Sequence, residues 1–492
     1  MSGLLARCRR AASVLGGRWF VKGLHIAAAA GVLAMYSSQG IPGASGSGAP
    51  PGRTVHRHTN VSLPIMRAPG KGARVLVVAP HTDDEAVGCG GLIAEAVARG
   101  AVVHVVYATN GDGFRLAAER AFHETKVSPR DYLRLARIRQ QEARRGLAAL
   151  GVSQSQATFL GYPDRGGEAT LLRYWEPREP YTSVYTHSQR NLYSDSLRPG
   201  AVYCGRNLLD DLEAAVRRFR PTVVVCPHPG DEHPDHRALY AYTVAALYEL
   251  GRLRGTRLLL YLVHAGHRWC SLTGHSLDPT VPPERTDAPD TRWRWLPLGP
   301  EAAARKRAAI RAHRSQLRVM PRFLLNFARN RELYGAGTAL VASGGPLARL
   351  TANGRAANWS GLVPVMRDPA RDLERPPPAD ADILALWVAR KDRKLFARVD
   401  LVGAASSKVE YELQFHVLTG GKVRAPQSYL VQPGRTLPGV EVHCSGASIQ
   451  MATLWPEEAE LDGLLVAAEA RRGGRVLDRT ARAVVVARHG RL

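Results

Sequence analysis

Two kinds of hydrophobic pattern divide this chain. Up to about residue 335, short continuous apolar runs alternate with longer stretches of helical period. The runs are 75–79, 102–108, 159–160, 222–226 and 257–263, most of them rich in β-branched residues. Uninterrupted runs of this kind suit strands buried on both faces. The helical stretches between them include the small-residue segment ending at Gly100, then 129–150 with Tyr132, Leu135, Ile138 and Leu147 as apolar points, then 210–220. Strands and helices in that alternation predict an α/β fold with a parallel sheet. A strongly basic stretch, 301–334, reads as helical. Beyond it the period changes to two. In 408–418, Val409, Tyr411, Leu413, Phe415 and Val417 point one way, and Lys408, Glu410, Glu412, Gln414 and His416 the other. That is a half-buried antiparallel strand. Similar short strands at 383–389, 395–402, 448–454, 464–469 and 481–487 predict a C-terminal all-β sandwich.

Composition shifts mark the boundaries. Arg7, Arg9, Arg10, Arg18 and Lys22 precede an uncharged run whose apolar part is 24–36. Residues 1–38 therefore read as a signal peptide or membrane anchor, which puts the rest of the chain in the cell envelope. The apolar part is shorter than the roughly 20 residues a membrane span needs. A disordered basic leader on a cytoplasmic protein is the alternative. Residues 39–72 are a Gly/Ser/Pro-rich linker, 73–345 the α/β region, 346–378 a second linker ending in three prolines, and 379–492 the sandwich.

Charge and cysteine content narrow the classes. The net charge of +24 suits an acidic partner or a solvated basic surface. No compact basic strip with interleaved aromatics occurs, so nucleic acid is not the expected partner. The six cysteines have no close, regular spacing and form no CxxC, which argues against a cysteine-type structural zinc site. Cys89 and Cys226 read as small buried apolar residues.

The chemistry sits at strand ends. His81-Thr-Asp-Asp-Glu85 follows the run 75–79, and His228-Pro-Gly-Asp-Glu-His233-Pro-Asp235-His236 follows 222–226. In open α/β sheets ligands bind at such ends. Singly, either motif is a helix cap or a turn; together, two His/Asp clusters after buried strands suggest one shared metal site. The loop 109–113 would border the same crevice, with Asn110 as a substrate contact or a turn former. Arg139 and Glu142, three apart on a helix face, are expected to pair. The long connection 165–206 carries Tyr174, Trp175, Tyr181, Tyr185 and Tyr193, suited either to a sugar-binding rim or to pinning the loop.

HTDDE at 81–85 and HPDH at 233–236, supported by RQQE at 139–142, LGYPD at 160–164 and Ser315-Gln316, resemble the LmbE/PIG-L family of zinc-dependent deacetylases. The one departure from the first motif is Thr82, where the family has proline; that position shapes the loop and supplies no ligand. The resemblance implies a Rossmann-like sheet and a Zn2+ ion held by His81, Asp84 and His236. It makes Asp83 the general base and has His233 stabilise the oxyanion or protonate the leaving amine, with Asp235 holding His233. Asp164 is then a substrate contact, beside Asn110 and Tyr185, and Glu85 is mainly structural at the helix start. The implied activity removes acetyl from an N-acetylated amino sugar, polysaccharide or glycoconjugate. Two rivals stay open: hydrolysis of another amide, such as a thiol conjugate, and an envelope-anchored glycan-binding protein with an inactive core.

Overall fold

The computed structural model describes residues 62–265, 280–283, 291–336, 340–341, 359, 362–368, 377–391, 394–454 and 461–486. The leader 1–38, most of both linkers, His267 and Cys270 lie outside the described residues. Arg74–Ala79 (β1), Asp84–Ala98 (α1), Val102–Thr109 (β2), Arg115–Phe122 (α2), Pro129–Ala149 (α3), Ala157–Tyr162 (β3), Gly167–Leu172 (α4), Gly205–Phe219 (α5), Val223–Pro227 (β4), Pro234–Glu249 (α6) and Arg257–Tyr261 (β5) follow in order. The pleat of β1 divides two cores. Val75, Val77 and Ala79 join Leu92, Ile93 and Leu147 of α1 and α3. Leu76 and Val78 join Leu208, Leu212, Leu239 and Tyr242 of α5 and α6. Helices on both faces explain why these strands read as unbroken apolar runs.

The parallel order is β3-β2-β1-β4-β5. Strands β2 and β3 run out on one side of β1, while β4 and β5 run out on the other. The switch point therefore falls between the C-terminal ends of β1 and β4, where both motifs begin.

The basic stretch 301–334 is not one helix. After Arg292–Pro297 (β6) it forms Pro300–Ala312 (α7), Arg314–Leu317 (α8) and Pro321–Asn326 (α9), then Arg331–Ala336 (β7). Pro321 cannot continue a helix and starts a new one. Strands β7 and β6 extend the sheet antiparallel beyond β5, so the parallel sheet is a mixed one of seven strands. Glu332 of β7 anchors α1: its oxygens accept from Gly91 N and Leu92 N, both at 2.7 Å, and Lys306 Nζ lies 2.6 Å away. Only glycine at 91 permits this approach, since a Cβ there would fall 2.4 Å from Leu298 Cδ1. Part of the first linker is also packed: Met66 is buried and its N–H donates to Trp295 O at 2.7 Å.

The later region is a mostly antiparallel sandwich, with β8 parallel to β19. Its strands are Leu340–Val341 (β8), Met366–Arg367 (β9), Ile383–Lys391 (β10), Lys394–Leu401 (β11), Glu410–Thr419 (β12), Lys422–Val423 (β13), Gln427–Val431 (β14), Val440–Ser445 (β15), Ser448–Leu454 (β16), Leu461–Arg472 (β17), Arg475–Arg479 (β18) and Ala483–Val486 (β19). One sheet runs β15-β16-β11-β10-β9 and the other β13-β12-β17-β19-β8, with β14 beside β12 and β18 beside β17. Strands β8 and β9 lie before residue 379, so the sandwich takes strands from the stretches read as α/β region and linker. Phe415, Val417 and Val466 meet Leu386, Val399 and Met451 between the sheets. The outer face of the second sheet, with Leu418, Leu465 and Val484, packs on the α6 side of the α/β body. Helix α6 is thus buried from Ala238 to Tyr248 along its whole girth. Among the described residues, no helix is long and apolar enough to cross a membrane.

Candidate active site

The first loop turns directly out of β1 into α1. Asp83 occupies the N-cap position of α1 but makes no side-chain cap bond. Its Oδ1 instead lies 3.0 Å from Arg139 Nη2, and Arg139 Nη1 donates to Gly111 O at 2.8 Å. Gly111 has φ of +63°, and any side chain there would strike the Arg139 guanidinium. The expected Arg139–Glu142 pair does not form. Glu142 accepts from Ser315 N at 2.8 Å and Ser315 Oγ at 2.6 Å, which ties α3 to α8. Sharing a helix face was not enough, because each side chain found a buried partner on another element.

Asp84 is where the two motifs meet. Its Oδ2 lies 3.1 Å from His81 Nδ1 and 3.2 Å from His236 Nε2. His81 Nε2 faces Asp235 Oδ2 at 3.3 Å and Asp164 Oδ1 at 3.5 Å. Burial pulls the His81 imidazolium down, but Asp164, Asp235 and Asp84 outweigh it and hold it well above the usual range. His236 is likewise pulled down by burial yet held up at about 9 by Asp231 and Asp84.

The second loop is built around Asp231, a residue with no expected role. Its Oδ2 accepts from Val263 N at 3.0 Å and His264 N at 3.1 Å and faces His236 Nδ1 at 3.1 Å. Its Oδ1 accepts from His233 N at 2.9 Å. These donors and the neighbouring imidazoles overcome burial and keep Asp231 at about 2. The available signal was an acid in a Pro-Gly turn five residues before His236. With Nδ1 engaged, His236 turns its fully buried Nε2 toward Asp84 Oδ2, 3.2 Å away. A carboxylate behind one ring nitrogen, orienting the other toward the cluster, is the usual support of a metal-bound histidine.

Asp235 does not hold His233 through its side chain. Its oxygens accept from Arg165 N at 2.6 Å and Gly167 N at 2.9 Å. Asp235 instead meets His233 through its backbone N–H, which donates to Nδ1 at 3.3 Å, so His233 caps α6. Neighbours in sequence at a helix start diverge in direction, and these two point apart. Burial and the rings of His81, His236 and His264 push His233 well below the usual range. With Nδ1 accepting, the ring proton of neutral His233 sits on Nε2.

The substrate candidates take different places. Asp164 lies in the crevice, receiving Gly113 N at 3.0 Å, and is held at about 2 by His81 despite burial. Asn110 is fully buried; its Oδ1 accepts from Gln140 Nε2 at 3.1 Å and its Nδ2 has no partner. Tyr185 is half-buried over Gly113 beside Asp164, so it forms part of the rim. Trp175 and Tyr193 are buried and pin the connection, with Tyr193 OH donating to Asp112 Oδ2 at 2.7 Å. Glu85 is fully buried 3.3 Å from His313 Nε2, an internal pair rather than a solvent-facing helix-start acid. His228 is buried against Trp293 with Nε2 on Thr291 Oγ1 at 2.8 Å, away from the cluster. His264 stands behind the cluster, its ring 5.0 Å from that of His236.

The donor set fits a divalent cation. Ligand atoms of His81, His233 and His236, of His81, Asp164 and Asp235, and of Asp231, His236 and His264 each lie within 4.8 Å of one another. Three carboxylates around one imidazole leave an excess of negative charge that a dication would offset.

A family model described as PIG-L, GlcNAc-PI de-N-acetylase, matches residues 76–247. The deacetylase of 1D-myo-inositol 2-acetamido-2-deoxy-alpha-D-glucopyranoside from Mycobacterium sp. (strain KMS) is 34% identical over 176 residues, 35% of this chain and 50% of that protein. The matched part thus spans half the length of that relative. The enzyme of the same name from Mycolicibacterium vanbaalenii is 31% identical over 268 residues, 51% of this chain and 82% of that protein. Among solved structures, the N,N'-diacetylchitobiose deacetylase from Pyrococcus horikoshii is 20% identical, covering 51% of this chain and 76% of that one with a TM-score of 0.31.

Proposed function

The chain belongs to the PIG-L (LmbE-like) family, and from that premise we propose that it is a zinc-dependent hydrolase removing acetyl from an N-acetylated amino sugar. The observation that carries this reading is the meeting of His81 and His236 on one oxygen of Asp84, with Asp83 fixed beside it by Arg139. His81, Asp84 and His236 would hold the ion. Bound there, zinc supplies Lewis-acid polarisation of the amide carbonyl and makes attacking water acidic enough to act near neutral pH.

The protein's own residues supply the rest. Arg139 engages Oδ1 of Asp83, which leaves Oδ2 to take a proton from the attacking water. His233 presents Nε2–H as a donor to the oxygen that becomes negative as the carbonyl is attacked. The proton gathered on Asp83 passes to the departing nitrogen as the C–N bond breaks, so acetate and a free amine leave. Asp164 and Tyr185 line the side of the crevice where sugar hydroxyls would lie. The names of the relatives support a glycoside of N-acetylglucosamine as the substrate class. An envelope setting rests on the sequence of residues 1–38.

Metal content and acetate release test the proposal together. The protein and its Asp83→Asn variant are offered N-acetylglucosaminyl inositol, chitooligosaccharides and N-acetylated polysaccharides. Acetate from the native protein alone, with about one zinc per chain in both, is the expected result, the loss being about 100- to 10,000-fold. Undiminished turnover in Asp83→Asn would remove it as the base. Absence of zinc after reconstitution would favour a binding protein with an inactive core.

A further inference from the structure

The family match ends at residue 247, yet the sandwich beyond it reaches the supports of the active site, among other contacts, through the carboxylate of Glu168. Glu168 lies in the first turn of α4. Arg479, at the end of β18 in the sandwich, places Nη1 3.1 Å from both Glu168 oxygens. From the other side Arg237 Nη2 lies 3.2 Å from Glu168 Oε1. Arg237 directly follows His236, and its Nη1 donates to Asp231 O at 3.1 Å and Glu232 O at 2.7 Å, the carbonyls of the second motif loop. Just upstream of Glu168, the N–H groups of Arg165 and Gly167 hold the two oxygens of Asp235, which faces His81. A single glutamate therefore joins the sandwich to the supports of both histidines.

The surroundings keep Glu168 ionised. Burial opposes the charge, but Arg237, Arg479 and the buried Arg482 outweigh it and hold the carboxyl below its usual range. The pair is partly shielded, with about a third of Arg479 and a quarter of Glu168 exposed. Apolar contacts continue the junction. Leu418, Leu465 and Val484 of the sandwich share a core with Leu171 and Trp175 beside α4 and with Leu239 and Tyr242 of α6.

We propose that Arg479 is a positioning residue for the active site: through Glu168 the sandwich fixes the 165–168 turn and the Arg237-bound loop, and so the placement of His81 and His236. This rests on the function proposed above and assigns the sandwich a part in it. Arg479 touches neither ligand nor reacting atoms; it acts through Glu168.

The test compares full-length native protein with Arg479→Ala, Arg479→Lys, Glu168→Gln and the Glu168→Gln/Arg479→Ala double variant. Zinc loss to a chelator is followed without substrate, and kcat and KM are measured separately. Supports behind ligands are worth about 10- to 100-fold, so a contact one step further out is expected to speed zinc loss about five-fold. kcat should fall by a similar factor with KM nearly unchanged, Lys should restore part of both, and the double variant should be no worse than the worse single. A lowered Tm with native zinc loss and native kcat would overturn the proposal, because the contact would then be only structural. So would additive effects in the double variant. A native protein that holds zinc and releases acetate while Arg479→Ala matches it refutes this inference alone. A native protein that does neither refutes the function on which it rests.

Discussion

The crevice between β1 and β4 and the interior of the sandwich are both buried, but they are satisfied differently. Between the sandwich sheets Phe415, Val417, Val466, Leu386 and Met451 pack as an apolar layer. Around the crevice, His81, Asp84, Asp164, Asp235 and His236 are buried as a cluster of ionisable groups. Burying charge weakens a fold. The contrast teaches which region the chain keeps for stability and which it keeps for chemistry: apolar packing holds the sandwich core, whereas the crevice gathers charged groups that a bound ion would complete.

Substitution in the sandwich core should have the largest effect on stability and the least on chemistry. Phe415→Ala is expected to lower unfolding free energy by about 3–5 kcal/mol, read by denaturant titration, with turnover per folded molecule kept. A dead but stable variant would break the comparison. In the crevice, burial and Asp164 push Asp112 up to about 6. A raised folded-state value stabilises at low pH, below the ordinary carboxylate range, and that contribution disappears as pH rises through about 6. Asp112→Asn, which cannot ionise, should therefore gain about 3 kcal/mol over the native metal-free protein at pH 8 and little at pH 4. Thermal melts at both values check the sign; a gain at pH 4 instead would mean that burial does not penalise the charge. Smaller again, Asp231→Asn should weaken zinc about 10- to 100-fold through His236, measured by chelator competition. Unaltered affinity would sharpen the contrast differently, by confining the metal's support to Asp84 and His81.

Much of this was legible before any coordinates. Strands β1, β2, β4 and β5 were readable because burial on both faces makes them continuous apolar runs. Strand Ser448–Leu454 was readable to the residue from its sequence, although the fold buries both of its faces from Ile449 to Thr453. The antiparallel β6–β7 pair was missed because β6, RWRWLP, is half-exposed and basic residues hid the breaks after Ala312 and before β7. Strands β14 and β15 lie at sheet margins with weak alternation. In the site, the two motifs after buried strands pointed to one shared metal site, and their resemblance to the family singled out His81, Asp84 and His236. Asp231's cage, the Arg139–Asp83 pair and the Asp235 contacts needed the folded chain, because their partners come from other loops. Two expected contacts do not form: helix-face spacing suggested Arg139 with Glu142, and the family resemblance implied Asp235 with His233.

Helix α6 has an implication for how the protein is made. Its flanks, with Tyr240, Tyr242, Leu247 and Tyr248, are covered on one side by the parallel sheet and on the other by strands β12, β17 and β19. Synthesis delivers α6 well before those strands. During elongation an apolar helix face stands bare on an otherwise assembled α/β body, inviting self-association until the C-terminal strands arrive. Removal of residues 379–492, natural-looking from sequence as a clean cut, makes that transient state permanent.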